Sequence, residues 1–332
     1  MCSEIHVRKV VRTFPALLLV ILIASCSQEK VLTIGTGSTA GNYDKTGLAI
    51  ASILSKGRKA HGILLQVKES SGSVANINAL ASGDIQFGIA QADRQYEAVN
   101  GLAEWKVKGP QKELRSICSL YLESVTIIAD RAASIKNVRD LKGKRVDIGP
   151  PGSGIRQNAI DVLDAAGIKW NRDLKAHAEG ADERMRMLMQ GDLDAVFHTV
   201  GHPSNDILFL ANSMRKVHFL PVDNVESLLA KYPYYSKSVI PVRGLYPNAD
   251  NSGDIETIGV KATLLTSAMV PDELVYLVTK EVFSHIEELG ERVSVLMAID
   301  KNGMLEGLTA PLHPGAIKYF REIGLPLPAS RR

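Results

Sequence analysis

Aromatic residues and an excess of one charge sign are both scarce in this sequence of 332 residues. Only 5% of the residues are aromatic, which disfavours a protein that stacks nucleic-acid bases on its side chains. The net charge is +3 and both signs are scattered along the chain, whereas nucleic-acid binding needs a basic stripe that releases counterions. The composition therefore argues against nucleic acid as a partner, while 45% apolar residues suffice for one or two ordinary hydrophobic cores.

The apolar run near the N-terminus is too short to cross a membrane. Residues 14–23 would rise only about 15 Å as a helix, half of the thickness of a bilayer core. Arg8, Lys9 and Arg12 precede this run and small residues follow it. A basic segment, a short apolar core and small residues are typical of an export signal, so we predict a signal peptide over residues 1–25 and a mature chain outside the cytoplasm.

Cysteine is also scarce, with three residues in the whole chain. Cys2 belongs to the predicted signal. Cys26 ends the segment Ile23-Ala24-Ser25-Cys26, which resembles a bacterial lipobox and predicts a lipid anchor on Cys26 that holds a periplasmic or cell-surface protein to a membrane. The alternative is an ordinary cleavage site that happens to precede a cysteine. Cys118 then stands alone in an apolar run, which predicts a buried thiol and no disulfide.

The remaining chain contains one pattern twice. Strand-like runs at 31–34, 63–67 and 85–90 alternate with a glycine-rich loop and two helical stretches, and runs at 144–148, 174–178 and 195–199 repeat the arrangement. Gly83-Asp84 ends the second helix of the first copy, and Gly191-Asp192 ends that of the second copy. Two such units predict two similar α/β lobes.

Two long β-prone runs are suited to connect these lobes. Residues 119–129 lie between the copies, and residues 255–267 follow the second copy. Two crossing strands predict a hinge, and hinged lobes close around ligands. We therefore expect a ligand cleft between the lobes.

Candidate binding residues lie in the loops that follow the strands. In open parallel sheets, ligands bind beyond the carboxyl ends of the strands, where backbone N–H groups at helix starts attract carboxylates or phosphates. The candidates are Ser38, Thr39, Asn42, Tyr43, Ser71, Ser73, Gln91, Asp93, Ser153, Gly154, Arg156, Thr199, Gly201 and His202. An alternative interpretation is that Ser71, Ser153 and Asp93 cap helices, a role compatible with ligand contact.

Three charged candidates and one aromatic candidate carry more specific hypotheses. Arg156 could form a bidentate pair with a solute carboxylate, or face solvent in a first helical turn. Asp44 or Asp93 could hold an amino group. Tyr43 is expected to pack across the solute rather than to take part in chemistry.

Two possible enzyme or metal motifs are not supported by the sequence around them, and a third motif is absent. Gly35-x-Gly37-x-x-Ala40 matches a dinucleotide fingerprint, but the nearest acid, Glu69, lies too far along the chain for the ribose. His198 and His202 are four residues apart in a strand and a loop, where that spacing does not predict a metal site. No Gly-x-Ser-x-Gly elbow is present. We therefore expect neither catalysis, nor a cofactor, nor a metal.

Several motifs together resemble the TAXI family, the extracytoplasmic solute receptors of TRAP-type transporters. They occur in the family's order across nearly the whole mature chain: 35–43 (GTGSTAGNY), 70–76 (SSGSVAN), 91–93 (QAD), 141–146 (LKGKRV), 151–154 (PGSG) and 312–316 (LHPGA). The resemblance implies a type II periplasmic-binding-protein fold, a TRAP-type membrane permease as partner, and solutes such as glutamate, glutamine or small carboxylates. Asp44, Arg156 and His202 depart from the family pattern and put the solute identity in doubt.

These observations predict a domain organisation and a function. Residues 31–122 and 256–332 are expected to form the first lobe, and residues 123–255 the second. The function is that of a non-enzymatic receptor whose lobes close on a small anionic or zwitterionic solute. The alternatives are a ligand-sensing lipoprotein of the same fold that acts with a membrane signalling partner, and an exported enzyme.

Overall fold

The computed structural model describes residues 29–39 and 41–328. The predicted signal peptide over residues 1–25, the predicted lipidation site Cys26 and Ala40 of the glycine loop lie outside the described residues. Within the described ranges, no helix combines the length and the apolar character that a membrane span requires.

Ten strands of the described chain form one mixed sheet. They are β1 (Lys30–Gly35), β2 (Ile63–Lys68), β3 (Phe87–Gln91), β4 (Leu114–Asp130), β5 (Arg145–Asp147), β6 (Lys175–His177), β7 (Ala195–Val200), β8 (Val217–Leu220), β9 (Ser236–Ile240) and β10 (Ile255–Ser267). Their order is β2-β1-β3-β10-β4-β7-β5-β6, with β8 paired to β4 and β9 paired to β10. Strands β1, β2 and β3 pair in parallel, as do β5, β6 and β7.

The two longest strands join these two parallel groups. β4 pairs with β10 along its first part, up to Ser124, and with β7 from Ser124 onward. β10 pairs with β9 along Ile255–Gly259 and with β3 along Ala262–Thr266. Both strands therefore run from one group to the other, as the two β-prone runs predicted.

The helices cover the two parallel groups. They are α1 (Asn42–Lys56), α2 (Arg58–His61), α3 (Ser73–Ser82), α4 (Ala92–Asn100), α5 (Gly154–Ala165), α6 (Trp170–Asp173), α7 (Ala181–Gln190), α8 (Asn205–Ala211), α9 (Val225–Lys231), α10 (Val242–Leu245), α11 (Asp272–Ser284), α12 (Ile286–Arg292) and α13 (Pro314–Glu322). Short 3₁₀ turns occur at Ala103–Trp105, Arg131–Ala133, Val138–Leu141, Ser294–Leu296 and Gly303–Leu305.

The repeated Gly-Asp pair ends equivalent helices. Gly83 follows α3 and Gly191 follows α7, both with φ of 81°, a left-handed conformation that favours glycine. Each glycine N–H bonds back to the last turn of its helix. The chain then turns directly into the third strand of each unit, so the repeat predicted from sequence is a structural repeat.

Separate hydrophobic cores lie on the two sides of the connecting strands. We call the side of β1–β3 and α11–α13 the first lobe, and the side of β5–β8 the second lobe. Ile34, Phe87 and Phe320 belong to a large cluster of the first lobe. Val146 and Phe197 belong to a cluster of the second lobe. Cys118 is fully buried in the first cluster, which confirms the prediction of a buried thiol.

Candidate ligand-binding site

A cavity of about 330 Å³ lies between the two lobes. Its wall contains residues from the starts of α1 and α3 in the first lobe, and from the starts of α5, α7 and α8 in the second. In each case a strand ends at the edge of the sheet and the following helix begins there, because both units have the same strand–loop–helix order. The cavity therefore lies where the sequence predicted a cleft.

Several of these helix N-termini have no capping side chain. Gly41, Gly72 and Gly180 are the N-cap residues of α1, α3 and α7, and no side chain caps these helices. Glycine has no side-chain acceptor, so no N-cap side chain occupies the first-turn N–H groups, and the helix dipole gives that end positive character. In α3 one of these groups, the Val74 N–H, bonds the Gly152 carbonyl. All three glycines line the cavity, which makes its wall suited to a carboxylate or phosphate.

Of the three residues predicted to cap helices, one is confirmed as a cap and two are not caps. Ser153 is the N-cap of α5, and its Oγ accepts a hydrogen bond from Arg156 N at 3.3 Å. Ser71 is not a cap, because α3 has Gly72 at that position. Asp93 is not a cap either, because α4 begins one residue before it and has Gln91 as N-cap.

Most of the binding candidates from sequence line this one cavity. Those that do so are Ser38, Asn42, Tyr43, Ser71, Ser73, Gln91, Ser153, Gly154 and Thr199. Gly154 lies so close to Gln91 that an added Cβ would be 1.8 Å from Gln91 Oε1. Glycine at this position therefore allows the first turn of α5 to approach the first lobe.

Asp93 and Arg156 have other partners. Asp93 is fully buried, and its Oδ2 accepts a hydrogen bond from Asn158 Nδ2 at 2.6 Å. Arg156 donates from Nη1 to the Gly149 carbonyl at 3.2 Å, and its guanidinium lies 4.8 Å from the centre of the Trp170 ring. Neither side chain lines the cavity, so neither is placed to meet an amino group or a carboxylate there.

Thr39, Gly201 and His202 also lie outside the cavity wall. Thr39 is exposed. Gly201 accepts a hydrogen bond from Asn42 Nδ2 at 3.0 Å, so it connects the second lobe to the start of α1. His202 lies between Thr126 Oγ1 at 3.0 Å and Tyr246 OH at 2.7 Å, and burial lowers its pKa to about 4.

The lobes are in contact around the cavity. Besides the bond from Asn42 to Gly201, the backbone N–H of Val74 at the start of α3 donates to the Gly152 carbonyl at 3.2 Å. Gly152 belongs to the loop that leads into α5, so this bond also joins the two lobes. The arrangement is that of a closed clamp.

Arg184 is the cationic group that sequence reasoning missed. It lies in α7, lines the cavity and is only 2% exposed. Its Nη1 donates to the Glu179 carbonyl at 3.2 Å, while its Nε has no hydrogen-bond partner among the described residues. Burial lowers its pKa, but an arginine keeps its charge in proteins. Its Nη1 also lies 3.8 Å from the buried carboxylate of Asp147, which compensates part of the charge. The unused donor of this guanidinium in the cavity wall is suited to an anion.

The repeat contained a signal for Arg184. Residues 70–72 precede α3 in the first unit, and residues 178–180 occupy the equivalent position before α7 in the second. The candidate loops included the first of these and omitted the second, because the helix was interpreted through its methionines. His198 and Asp206 also line the cavity and were not among the candidates; His198 was considered only as a metal ligand.

The half-buried Tyr43 and the buried Glu123 form a pair in the wall. The Tyr43 hydroxyl donates to Glu123 Oε2 at 2.9 Å, which ties α1 to the connecting strand β4. Glu123 is 4% exposed, and burial raises the pKa of its carboxyl to about 8. The prediction that Tyr43 packs across a solute omitted this bond, because a strand residue at 123 gave no sign of lying near α1.

No group of three or more His, Cys, Asp or Glu side chains suited to hold a metal ion occurs within residues 29–39 and 41–328. His198 and His202 point to different partners, Arg184 and Tyr246. The cavity is thus built from helix N-termini, hydroxyls, an arginine, a lysine (Lys45) and a few carboxyls, an arrangement that can bind a small polar solute.

Two lobes joined by two crossing strands, with a cavity between them, define the architecture of periplasmic binding proteins, and solved structures share this fold. A protein from Bordetella bronchiseptica RB50 is 14% identical, with a TM-score of 0.54 over 89% of this chain and 98% of that chain. MatC from Rhodopseudomonas palustris, solved with bound malate, is 13% identical, with a TM-score of 0.52 over 80% of this chain and 88% of its own. A Xanthomonas citri protein bound to chloride is 10% identical, with a TM-score of 0.50 over 88% and 99%.

At these identities the likeness concerns the fold alone, and it confirms the predicted two-lobed α/β class. The chain itself belongs to the NMT1-like family, whose family model matches residues 34–324. The match spans both lobes and all nine strands from β2 to β10, together with the end of β1.

Proposed function

We propose that this protein is an extracytoplasmic receptor that closes its two lobes on a small anionic or zwitterionic solute and delivers it to a membrane transporter. The observation that supports this most is the cavity wall, in which uncapped helix N-termini of both lobes and the buried Arg184 face the same space. A solute carboxylate would take hydrogen bonds from the guanidinium and from these N–H groups.

Closure would follow from contacts with both lobes. A ligand can shift an equilibrium between open and closed forms only by binding one form more tightly. The wall combines first-lobe groups such as Ser73 with second-lobe groups such as Ser153, so a solute that meets both favours the closed form. Such a clamp needs no catalytic group, in keeping with the proposal of a receptor rather than an enzyme.

The transporter is proposed to be of the TRAP type, with this protein as a TAXI-like receptor for a solute of the glutamate, glutamine or small-carboxylate class. This part of the proposal is supported by the sequence motifs that resemble the TAXI family. The lobes are proposed to comprise residues 31–122 with 256–332 and residues 123–255. The lipid on Cys26 would keep the receptor at the membrane, close to its permease.

A thermal-shift screen of amino acids and of mono-, di- and tricarboxylates tests the proposal. A ligand that binds the folded form at 100 times its Kd stabilises it by about 2.7 kcal/mol. We expect at least one small carboxylate to raise the Tm of the mature protein. A complete lack of response to all of these solutes would contradict the proposal.

Arg184→Gln is the variant that locates the binding site. Removing the charge that meets a carboxylate should raise Kd by tenfold or more, because charge-assisted hydrogen bonds contribute about 1.5–3 kcal/mol. The matched control is Arg186→Gln, two residues along α7, where the arginine is exposed and bonds Glu183 Oε2 at 2.8 Å. Arg186→Gln should bind like the wild type. Equal Kd values for both variants, measured on samples with a cooperative thermal transition, would place the solute elsewhere.

Arg184→Lys is a second variant that distinguishes a loss of solute binding from a folding defect. Lysine keeps the charge at α7 but loses the planar fork of donors. We expect an affinity between those of the wild type and Arg184→Gln. Uptake of the solute by cells with and without the receptor gene then tests delivery to a transporter.

A further inference from the structure

The second-lobe wall of the cavity contains buried polar atoms without partners, and their chemistry narrows the solute class. This inference rests on the proposed function. The atoms are Arg184 Nε, His198 Nε2 and Thr199 Oγ1, none of which has a hydrogen-bond partner among the described residues. The three side chains are at most 5% exposed and all line the cavity.

The hydrogen-bond network fixes the tautomer of His198. Arg184 Nη2 lies 3.1 Å from His198 Nδ1, and a guanidinium can only donate, so Nδ1 accepts. Burial and the nearby Arg184 lower the pKa of His198 well below its ordinary value, so the ring is neutral at neutral pH. A neutral imidazole that accepts at Nδ1 carries its proton at Nε2. His198 therefore presents one N–H donor.

Asp206 faces the same donor across a gap. Its Oδ2 lies 3.7 Å from His198 Nε2, beyond the range of a direct hydrogen bond. A polar atom held about 2.8 Å from each would complete both hydrogen bonds, once the side chains move apart enough to admit it. Such an atom must accept a hydrogen bond from His198 and donate one to Asp206.

The common polar groups of small solutes differ in whether they donate or accept hydrogen bonds, and this difference decides which of them suits the position between His198 and Asp206. A hydroxyl both accepts and donates, an ammonium only donates, and an ionised carboxylate only accepts. An ammonium in the gap would face the His198 N–H, and a carboxylate would face the Asp206 carboxylate. A hydroxyl satisfies both neighbours.

The first lobe provides few carboxyl groups that could accept hydrogen bonds from a solute ammonium. The buried carboxyl of Glu123 lines the cavity, but its Oε2 already accepts the Tyr43 hydroxyl at 2.9 Å. Glu69 also lines the cavity and is exposed, so it lies where water competes. The unused Nε–H of Arg184, in contrast, provides a second donor on the His198 side of the cavity.

We propose that the cavity selects a small hydroxycarboxylate, with the carboxylate on Arg184 and the hydroxyl between His198 and Asp206. Within the carboxylate class, such a solute is preferred over the amino acid of the same skeleton. His198 and Asp206 are then the residues that determine specificity, while Arg184 binds every solute of the class.

Titration calorimetry with matched solutes tests this inference. The three series are lactate, alanine and propionate; malate, aspartate and succinate; and 2-hydroxyglutarate, glutamate and glutarate. In the series whose skeleton fits the cavity, we expect the hydroxy acid to bind at least tenfold more tightly than its amino and unsubstituted counterparts. An amino acid that binds as tightly as the hydroxy acid would overturn the inference and leave the receptor function intact, whereas no binding in any series would count against the receptor function itself.

Two variants test the assigned roles. Asp206→Ala should reduce the affinity ratio between the hydroxy acid and its unsubstituted counterpart to about one, without weakening the unsubstituted acid. His198→Gln places an amide N–H near the position of Nε2 and should keep part of that ratio, whereas His198→Leu should abolish it. Asp192→Ala, at an exposed acid just after α7 and outside the cavity wall, is the control and should keep the wild-type ratio. An unchanged ratio in Asp206→Ala would overturn the inference.

Discussion

At the scale of single residues, the buried carboxyl of Glu123 makes the free energy of unfolding depend on pH. Burial raises its pKa to about 8 in the folded protein, from an ordinary value near 4.3. Between these two values the folded form holds a proton that the unfolded chain releases. The free energy of unfolding therefore falls as pH rises, by at most about 1.4 kcal/mol per pH unit for one group.

Buried histidines make the free energy of unfolding rise with pH, which is opposite to the effect of Glu123, but only at lower pH. Burial lowers the pKa of His202 to about 4 and that of His198 well below its ordinary value. Their contribution to stability is lost as pH falls below about 6.5. In the unfolded chain half of each histidine is still protonated at pH 6.5, and this contribution fades over the next pH unit. Between pH 6.5 and 8 the carboxyl groups are therefore isolated by comparing a carboxyl variant with the wild type. Glu97, whose pKa burial also raises to about 8, contributes there with the same sign.

We predict that Glu123→Gln makes the stability less dependent on pH in this interval. Glutamine resembles the protonated carboxyl and can accept the Tyr43 hydroxyl, but it does not titrate. Urea unfolding between pH 6.5 and 8 should show a smaller loss of unfolding free energy for this variant than for the wild type. Glu113→Gln, at an exposed position, is the control and should follow the wild type. Identical slopes for Glu123→Gln and the wild type would contradict the assignment of a protonated Glu123.

At the scale of helices, α4 and α5 meet in a buried polar seam between the lobes. Asn158 of α5 donates to Asp93 Oδ2 of α4 at 2.6 Å and is 2.8 Å from the Tyr235 hydroxyl. That hydroxyl in turn donates to Asp161 Oδ2 at 2.8 Å. All four residues are buried, so the seam replaces water with fixed hydrogen bonds when the lobes are together.

We predict that Asn158→Ala weakens both the fold and solute binding. The variant leaves the buried Asp93 without its partner across the seam, and an unsatisfied buried group costs about 1–3 kcal/mol. Because the bond joins the two lobes, this loss falls on the closed form. We expect a lower Tm and an increase in Kd of several-fold to tenfold for the solute found in the screen.

Asn100→Ala is the control for this seam. Asn100 lies at the end of α4, is exposed, and bonds only the Tyr96 carbonyl at 2.8 Å. Its replacement should leave Kd unchanged. A wild-type Kd for Asn158→Ala, together with a lower Tm, would mean that the seam stabilises the fold without distinguishing the open and closed forms.

The elements themselves could be predicted well from local patterns. The run 255–267 is strand β10 to the residue, and the paired Gly-Asp signals ended α3 and α7 as expected. Local sequence also gave Ser153 as a cap. It failed for Asp93, since the same acid suits an N-cap or a first turn, and only its burial against Asn158 decides which.

At the scale of the whole molecule, the arrangement of the lobes followed from the repeat, whereas the contents of the cavity followed only in part. Two copies of one unit and two long strands were sufficient to place a cleft between them. The loops after the strands supply most of the cavity wall. The charged groups Arg184, Glu123 and Asp206 lie in a helix, in a connecting strand and in a first helical turn, so their convergence depends on how the lobes face each other. That orientation is not encoded in any local pattern.

The central claim is that a carboxylate solute is held between the lobes by Arg184 and the helix N-termini. A crystal structure of the mature protein with the solute identified by the thermal-shift screen tests this most directly. The account predicts a solute carboxylate oxygen within hydrogen-bond distance, about 2.7–3.2 Å, of the Arg184 guanidinium, with contacts from both α3 and α5. A solute bound outside this cavity, or held by one lobe alone without contact to Arg184, would contradict the account.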